Sequence, residues 1–476
     1  MSERTRPQGE KEPAFDSHRP PSADLVSDCV HCGFCLPTCP TYLLWGEEMD
    51  SPRGRVYLMA EGLEGEPMSA SMVQHFDACL GCLACVTACP SGVQYDKLIA
   101  ATRAQVERRY SRSVPDRLLR GAIFALFPYP RRLRLLRAPL AGYQRSGMQR
   151  LVRRSRLLDR LPPQLATMES LAPPLGRRPA LPRRVTARGP RRAVVGMLTG
   201  CVQREFFPEV NAATARVLAS EGCEVVIPPG QGCCGALSVH SGQEAQARRL
   251  ARRTIDVFER AGVDYVAVNA AGCGSAMKEY AELLSDEPRY AERAARLAER
   301  VRDVAELLYE LGPAAVRHPL PITVAYHDAC HLAHGQGIRS QPRALLAAIP
   351  DLRVREIAEP EICCGSAGVY NILNPEPARE LGDRKAANIL ATGAELLVTA
   401  NPGCLMQVAA ALARRGQQIA LAHTMQVLDA SICGTPIDGT GVRSSRGRGG
   451  RPRRGGVRTA IPSPNGVGVS RHGTQA

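Results

Sequence analysis

The chain has 476 residues, 44% of them hydrophobic, enough for about three domains at roughly 150 residues each. Its 61 Lys+Arg against 46 Asp+Glu give a formal charge of +15, and it carries 18 cysteines but only 4% aromatic residues. No Gly-X-Y or heptad repeat runs through it, which excludes collagen-like and coiled-coil chains, and the scarcity of aromatics argues against a base-stacking surface. Residues 1–22 are charged, lack the apolar core of a secretory signal and are expected to be disordered. The most apolar stretches, such as Gly121–Phe127, stop well short of the ~20 residues a bilayer span needs. A cytoplasmic location is therefore expected, where thiols stay reduced and serve metals or catalysis rather than disulfides.

Residues 23–102 contain two runs, CVHCGFCLPTCP at 29–40 and CLGCLACVTACP at 79–90. Both are C-x2-C-x2-C-x3-C-P, the ligand run of two-cluster ferredoxins. Three thiolates separated by two residues each can wrap three iron corners of one cube. The fourth lies too far along and is turned by the proline toward the other cube. The spacing thus assigns Cys29, Cys32, Cys35 and Cys89 to one 4Fe–4S cluster, and Cys79, Cys82, Cys85 and Cys39 to a second. Zinc would be satisfied by paired C-x2-C units, leaving the third and fourth cysteines of each run unexplained. His31 lies within the first loop, where four thiolates already suffice. The SPRGRVYLMAEG stretch between the runs predicts a helix joining the two halves.

Residues 103–192 hold 23 Arg and only 4 Asp+Glu, and residues 435–476 hold 8 Arg and a single Asp. The remainder of the chain is therefore acidic. The first segment interleaves Arg with Leu, predicting helices that end in a Pro-rich linker. It is either a solvated connecting face or a strip for an acidic partner or anionic lipid headgroups. The Gly/Arg-rich tail 435–476 is expected to be disordered.

From residue 193 the texture becomes α/β. Residues 193–199, 224–227, 264–268, 322–326 and 395–399 predict short buried strands, with helices at 243–260 and 289–311. Cys201, Cys233-Cys234-Gly235 and Cys273 recur as Cys330, Cys363-Cys364-Gly365 and Cys404, at nearly constant intervals. That register reads as a tandem duplication, with repeats at 193–312 and 313–434. The thiols Cys201, Cys273, Cys330 and Cys404 follow predicted strands, at the sheet edge where ligands bind, so two half-sites of four thiols are expected to converge. The competing reading is a packing role for buried thiols. HDACHLAHG adds His327, Asp328, His331 and His334 around Cys330 as candidate proton carriers, with Asp328 equally suited to cap a turn. Cys223 and Cys433 fall outside the repeat and are expected in the core.

The phrases DCVHCGFCLPTCPTY, DACLGCLACVTACPSGVQY, LTGCVQREFFPEVN, PPGQGCCGAL, NAAGCGSAMKEY, YHDACHLAHGQ, CCGSAGVYN and NPGCLMQ resemble the iron–sulfur subunit of glycolate oxidase (glycolate dehydrogenase) over roughly residues 25–432. The resemblance implies an α+β chain with an α/β part: a small helical two-cluster ferredoxin-type domain followed by a duplicated α/β CCG domain. It implies two 4Fe–4S clusters, with a third iron–sulfur centre in the CCG repeats as a further candidate, and FAD on partner subunits only. It further implies electron relay from FAD-binding glycolate oxidase subunits toward a quinone or other membrane acceptor, at the inner face of the cell membrane. Related CCG domains of heterodisulfide reductases end their repeats in C-x2-C. Here Ala276 and Gln407 stand at the last position, which speaks against a noncubane, disulfide-reducing site. The alternatives are a subunit of another flavin-linked dehydrogenase, for lactate or glycerol 3-phosphate, or a heterodisulfide-reductase-like protein. No nucleic-acid partner is expected, since no recognisable nucleic-acid fold accompanies the arginines.

Overall fold

Short β-branched runs alternating with Ala/Leu/Arg helices build two sheets of mostly parallel strands. The computed structural model describes residues 12–437 apart from 156 and 177; the predicted tail lies outside them from residue 438 onward. Its strands are β1 (Arg184–Val185), β2 (Ala193–Met197), β3 (Cys223–Val226), β4 (Tyr265–Val268), β5 (Val301–Asp303), β6 (Thr323–His327), β7 (Arg353–Glu356), β8 (Leu396–Thr399) and β9 (Ala420–His423). One sheet has the order β1-β3-β2-β4-β5, parallel except for the edge strand β1; the other has the order β7-β6-β8-β9, wholly parallel. Laying β2 on β6 matches β3-β2-β4-β5 to β7-β6-β8-β9 and leaves only the edge strand β1 without a counterpart among the described residues, as a duplication with an added edge strand gives.

The structure corrects the predicted helix 289–311. It is two helices, Ala291–Ala298 and Val304–Leu311, with β5 between them. Asp303 accepts the Ala305 N–H at 2.8 Å while Glu306 reaches back to the Asp303 N–H at 2.9 Å. This capping box starts a fresh helix straight after a three-residue strand. β7, an edge strand of sequence RVRE with no buried residue, and β9 also went unpredicted.

The repeats interlock reciprocally. The helix after β2 (Pro208–Ser220) packs on the helix after β9 (Thr424–Cys433), and the helix after β5 packs on the helix after β6 (Ser340–Ala347). Val217, Leu218, Val427 and Leu428 are fully buried in the core they share, each such burial contributing ~1.5–3 kcal/mol. Arg216 clasps Asp429 across the same seam, at 2.6 Å.

The N-terminal part is helical. Ser51 accepts the Gly54 N–H at 3.0 Å and so opens the predicted helix between the cysteine runs, Pro52–Leu63. Residues 12–22, expected to be disordered, are packed instead: Ala14 and Phe15 are buried, and Phe15 lies where a Cβ on Gly62 would come within 2.7 Å of its ring. The Arg-rich segment forms the helices Val114–Leu126, Pro130–Arg145, Met148–Arg154 and Pro163–Leu171 before running into β1. Ile123 and Phe124 pack on Val369 and Ile372 of the second repeat, and Leu133 packs in the core of the first. Among the described residues no helix is long and apolar enough to cross a membrane.

Candidate metal centres

The two four-cysteine runs fold alike. His31 and Gly33 in the first, and Gly81 and Leu83 in the second, all have positive φ, between 53° and 85°. Left-handed residues in such turns aim backbone N–H groups inward, forming the concave nests that hold anions and iron–sulfur groups; the Gly81 N–H reaches Cys79 Sγ at 3.3 Å. His31 and Leu83 hold this conformation at a cost of ~1–2 kcal/mol each, and arginines brace both loops. Arg53 donates to His31 O at 2.8 Å, and Arg103 donates to Cys79 O.

One cavity is lined by Cys29, Cys32, Cys35 and Cys89, with Arg53 at its wall. A second is lined by Cys39, Cys79, Cys82 and Cys85, with Arg55 and Tyr95. Each therefore draws three cysteines from one run and the fourth from the other. Four sulfur donors around a small enclosure fit a cubane cluster. The two sites differ in depth: Cys32 is exposed, while Cys39, Cys79, Cys82 and Cys85 are buried. The inner site packs on the second repeat, where Leu80, Cys82 and Ala84 meet Ile362, Cys363 and Tyr370. Thr87 Oγ1 and His334 Nδ1 share a 2.7 Å hydrogen bond across that seam.

Charge is arranged unevenly around the inner cysteines. Burial pushes the Cys82 and Cys85 thiols well above their ordinary value. Burial pushes Cys79 up as well, but Arg55, Arg103, the Gly81 N–H and the Tyr95 phenol outweigh it and hold that thiol below its ordinary value. Arg55 is wholly buried and donates to His75 O at 2.6 Å, Thr41 Oγ1 at 3.1 Å and Asp50 Oδ1 at 3.2 Å. Cysteine spacing does not point to Arg55, Tyr95 or Arg103; the one local signal is a charge inside the Pro52–Leu63 helix.

The eight repeat cysteines sit beyond the C-terminal ends of β2, β3 and β4 and of β6, β7 and β8. Thiol contacts run Cys201–Cys233–Cys234–Cys273 in one repeat, with 3.6 Å between Cys201 Sγ and Cys233 Sγ, and Cys330–Cys363–Cys364–Cys404 in the other. Among the described residues no hydrogen bond joins the two chains of thiols. Gly365, at φ 84°, lets its loop close onto the helix Pro375–Ala391, where a Cβ would stand 2.5 Å from Ala378 O.

The two sets have different surroundings. The first lies against Leu198 and other apolar residues. In the second, a nitrogen of His327 and the sulfurs of Cys364 and Cys404 all lie within 4.8 Å of one another, fully enclosed. Burial holds the His327 imidazole neutral, pushed down to about 3. Of the other predicted proton carriers, Asp328 is held by Arg343 at 2.6 and 2.9 Å, His334 reaches Glu361 at 3.0 Å, and His331 Nδ1 lies 3.6 Å from Cys330 Sγ. His331 packs against His240 with ring centroids 4.6 Å apart. Cys223 is buried in β3, but Cys433 is exposed at the end of the last helix rather than in the core, because that helix turn faces solvent beside Asp429.

Comparison with known proteins agrees with this architecture. The family model "Glycolate oxidase iron-sulfur subunit, linker region" matches residues 115–172, the cysteine-rich domain matches 195–278 and 324–409, and the 4Fe–4S dicluster domain matches 25–93. The chain is 40% identical over 398 residues to the probable glycolate oxidase iron–sulfur subunit of Bacillus subtilis, covering 82% of this chain and 89% of that protein. It is 36% identical over 392 residues to the glycolate oxidase iron–sulfur subunit of Escherichia coli, covering 81% and 90%. Lactate utilization protein A of Halalkalibacterium halodurans is 32% identical over 236 residues, covering 49% of this chain and 96% of that protein. With dicluster, linker and both cysteine-rich segments matched in order, the chain belongs to the family of glycolate oxidase iron–sulfur subunits.

Proposed function

We propose that this chain relays electrons within a complex that oxidises glycolate to glyoxylate, taking them from FAD on partner subunits and passing them toward a quinone or another membrane acceptor. The observation that carries this reading is the pair of cysteine-lined cavities, one reaching the surface at Cys32 and one buried against the second repeat. In this reading Cys29, Cys32, Cys35 and Cys89 hold one 4Fe–4S cluster, and Cys79, Cys82, Cys85 and Cys39 hold the other. A flavin accepts two electrons as hydride, whereas each cluster carries one. Two clusters in series therefore separate the steps in space, and the chain's own work is binding, orientation and tuning of potential. The ferredoxin-type domain spans 23–102, the Arg-rich segment 103–192, and the duplicated CCG domain 193–312 and 313–434. The complex works on the cytoplasmic side of the membrane.

The linker match favours glycolate over lactate, since the lactate utilization relative covers only half of the chain. The test is glycolate-dependent reduction of a quinone analogue by the complex assembled with its partner subunits. Cys82→Ser is expected to abolish quinone reduction while sparing flavin reduction by glycolate. Undiminished quinone reduction by that variant, or faster turnover on lactate than on glycolate, would overturn the reading.

A further inference from the structure

Repeat symmetry breaks just past the last cysteine of each set. Three and six residues beyond it stand Ala276 and Glu279 in the first repeat, but Gln407 and Ala410 in the second. Gln407 is buried and committed, accepting from Asn371 at 3.0 Å and donating to Ala378 O at 2.7 Å. Ala276 instead lines an open cavity of about 230 Å³ between the first repeat, the helix Tyr95–Arg109 and residues 19–25. One water needs only ~10–15 Å³, so the space takes a ring-bearing molecule. Its walls are mainly apolar, from Leu25, Leu98, Ala101, Val239, Ala276 and Leu283.

Leu98 is fully buried and packs in one core with Cys79 and Cys85, and Tyr95, three residues earlier, donates to Cys79 Sγ. One helix, about 10–12 Å across with its side chains, therefore separates the cavity from the inner cysteines. The carboxylates around the cavity differ. Glu244 is held by Arg108 at 3.0 Å and Arg248 at 3.1 Å, and Glu282 faces Arg19 at 3.9 Å and Lys97 at 4.0 Å. Asp96 sits in the first turn of its helix, where the dipole favours the ionised form. Glu279 has no cation partner among the described residues, and its carboxylate accepts one hydrogen bond, from Ser275 Oγ at 3.1 Å. Burial, reinforced by Asp96 and Glu282, outweighs that bond and pushes the carboxyl up from 4.5 to about 7. A carboxyl in that range holds a proton and can release it. The cations of the wall are engaged, Lys97 with Glu282 and Arg19 also with the Glu282 and Leu283 carbonyls, which leaves no charge for a phosphate.

An apolar slot with one proton-bearing carboxyl, a helix away from an electron relay, suits a carrier of two electrons and two protons. Building on the relay reading above, we propose that this cavity binds the ring of the quinone acceptor and that Glu279 supplies a proton for its reduction. Electrons pass singly from the inner centre, which is oxidised, to the quinone, which is reduced. One carbonyl oxygen takes the Glu279 proton, and the other takes a proton from water at the exposed rim of Lys97 and Glu282, giving the hydroquinone. Glu279 is reprotonated from the same rim. Ala410 gives the second repeat no such donor.

The experiment uses the full chain assembled with its partner subunits. It compares glycolate-dependent reduction of a short-chain naphthoquinone with that of ferricyanide, a one-electron dye. Quinone turnover by the parent should fall as pH rises through about 7, where Glu279 loses its proton. Glu279→Gln should lower the quinone-to-ferricyanide rate ratio at least about tenfold and remove that pH dependence. Ala101→Trp should fill the cavity and raise the KM for the quinone. Iron content and the cluster EPR signals report on folding. If Ala101→Trp loses iron, Glu279→Gln, which keeps the shape of its side chain, decides. An unchanged ratio in Glu279→Gln, an equal loss of both rates, or a pH dependence that persists in it would each overturn the site and leave the relay standing. A parent complex that reduces ferricyanide but not the quinone would overturn the acceptor reading and the site with it, and one that reduces neither would overturn the relay.

Discussion

The Tyr95 phenol donates to the Cys79 thiol across 3.6 Å, inside the wall of the inner cysteine cavity. Hydrogen bonds to sulfur and local positive charge raise the potential of an iron–sulfur centre by favouring its more negative, reduced state. Tyr95→Phe removes one of these with little change in shape. Potentiometric EPR titration is expected to show the inner centre moving negative by roughly tens of mV, while the outer one stays put. Equal movement of both centres, or of neither, would mean that Tyr95 acts only through packing.

Arg55 makes a different prediction, because it is the largest of the fully buried side chains and carries a charge. It binds Asp50, which also faces His75 at 2.9 Å, and it lies beside Cys79 and Cys39. Removing one member of a buried pair strands the other and costs about 3–5 kcal/mol. Arg55→Leu should therefore lower thermal stability markedly and reduce bound iron from about eight toward about four per chain. Arg55→Lys keeps the charge but cannot span the His75, Thr41 and Asp50 acceptors together, so an intermediate loss is expected.

What could be read from the chain divides along the range of the interactions involved. Both C-x2-C-x2-C-x3-C-P runs are local, and the left-handed turns that shape each loop fall within the same dozen positions, so spacing was informative, although Arg53 and Arg103 brace the loops from outside. The duplication was legible because each cysteine is tied to a strand end, and the order β3-β2-β4-β5 repeats as β7-β6-β8-β9. β5 was hidden because its three residues sit between helical patterns, and β7 because an exposed edge strand shows no apolar alternation. His327 was visible as a histidine near Cys330, yet its neighbours Cys364 and Cys404 are set by strand order, which spacing does not encode. Arg55 and Tyr95 reach the inner cysteines from helices elsewhere in the chain and leave no mark in the cysteine pattern.

The outer loop carries its own prediction. Val30 and Phe34 flank Cys32 and are 68% and 66% exposed, an unusual use of apolar residues around a cysteine that is itself at the surface. Electron exchange needs close approach, and this is the side of the two-cavity pair open to another chain. Replacing both residues with Glu should slow glycolate-dependent reduction of the clusters by flavin at least several-fold in stopped-flow experiments. Iron content and the cluster potentials should stay unchanged. An unaltered rate would place the electron-entry face elsewhere.

Opposite pH responses are built into equivalent positions of the two repeats. Asp303 and His423 end β5 and β9, and both cap the helix that follows, Asp303 through the Ala305 N–H and His423 through the Met425 N–H at 3.1 Å. Burial raises the Asp303 carboxyl from 3.8 to about 7, while burial lowers the His423 imidazole from 6.5 to about 4. For Asp303 the folded state holds the proton more tightly than the unfolded chain. Its contribution is full below pH 3.8 and lost as pH rises to about 7. For His423 the folded state favours the neutral ring, which donates Nε2–H to Asn269 O at 2.9 Å. Its contribution is full above pH 6.5 and lost as pH falls through about 4. Asp303→Asn retains a cap oxygen and should gain stability relative to the parent as pH rises from 4 to 7, with a slope of up to ~1.4 kcal/mol per pH unit. His423→Asn should lose relative stability over pH 4 to 6.5 with the opposite slope. Chemical unfolding of parent and variants across this range, compared as differences, measures both slopes, and parallel curves for parent and variant would show that neither group changes its protonation on folding.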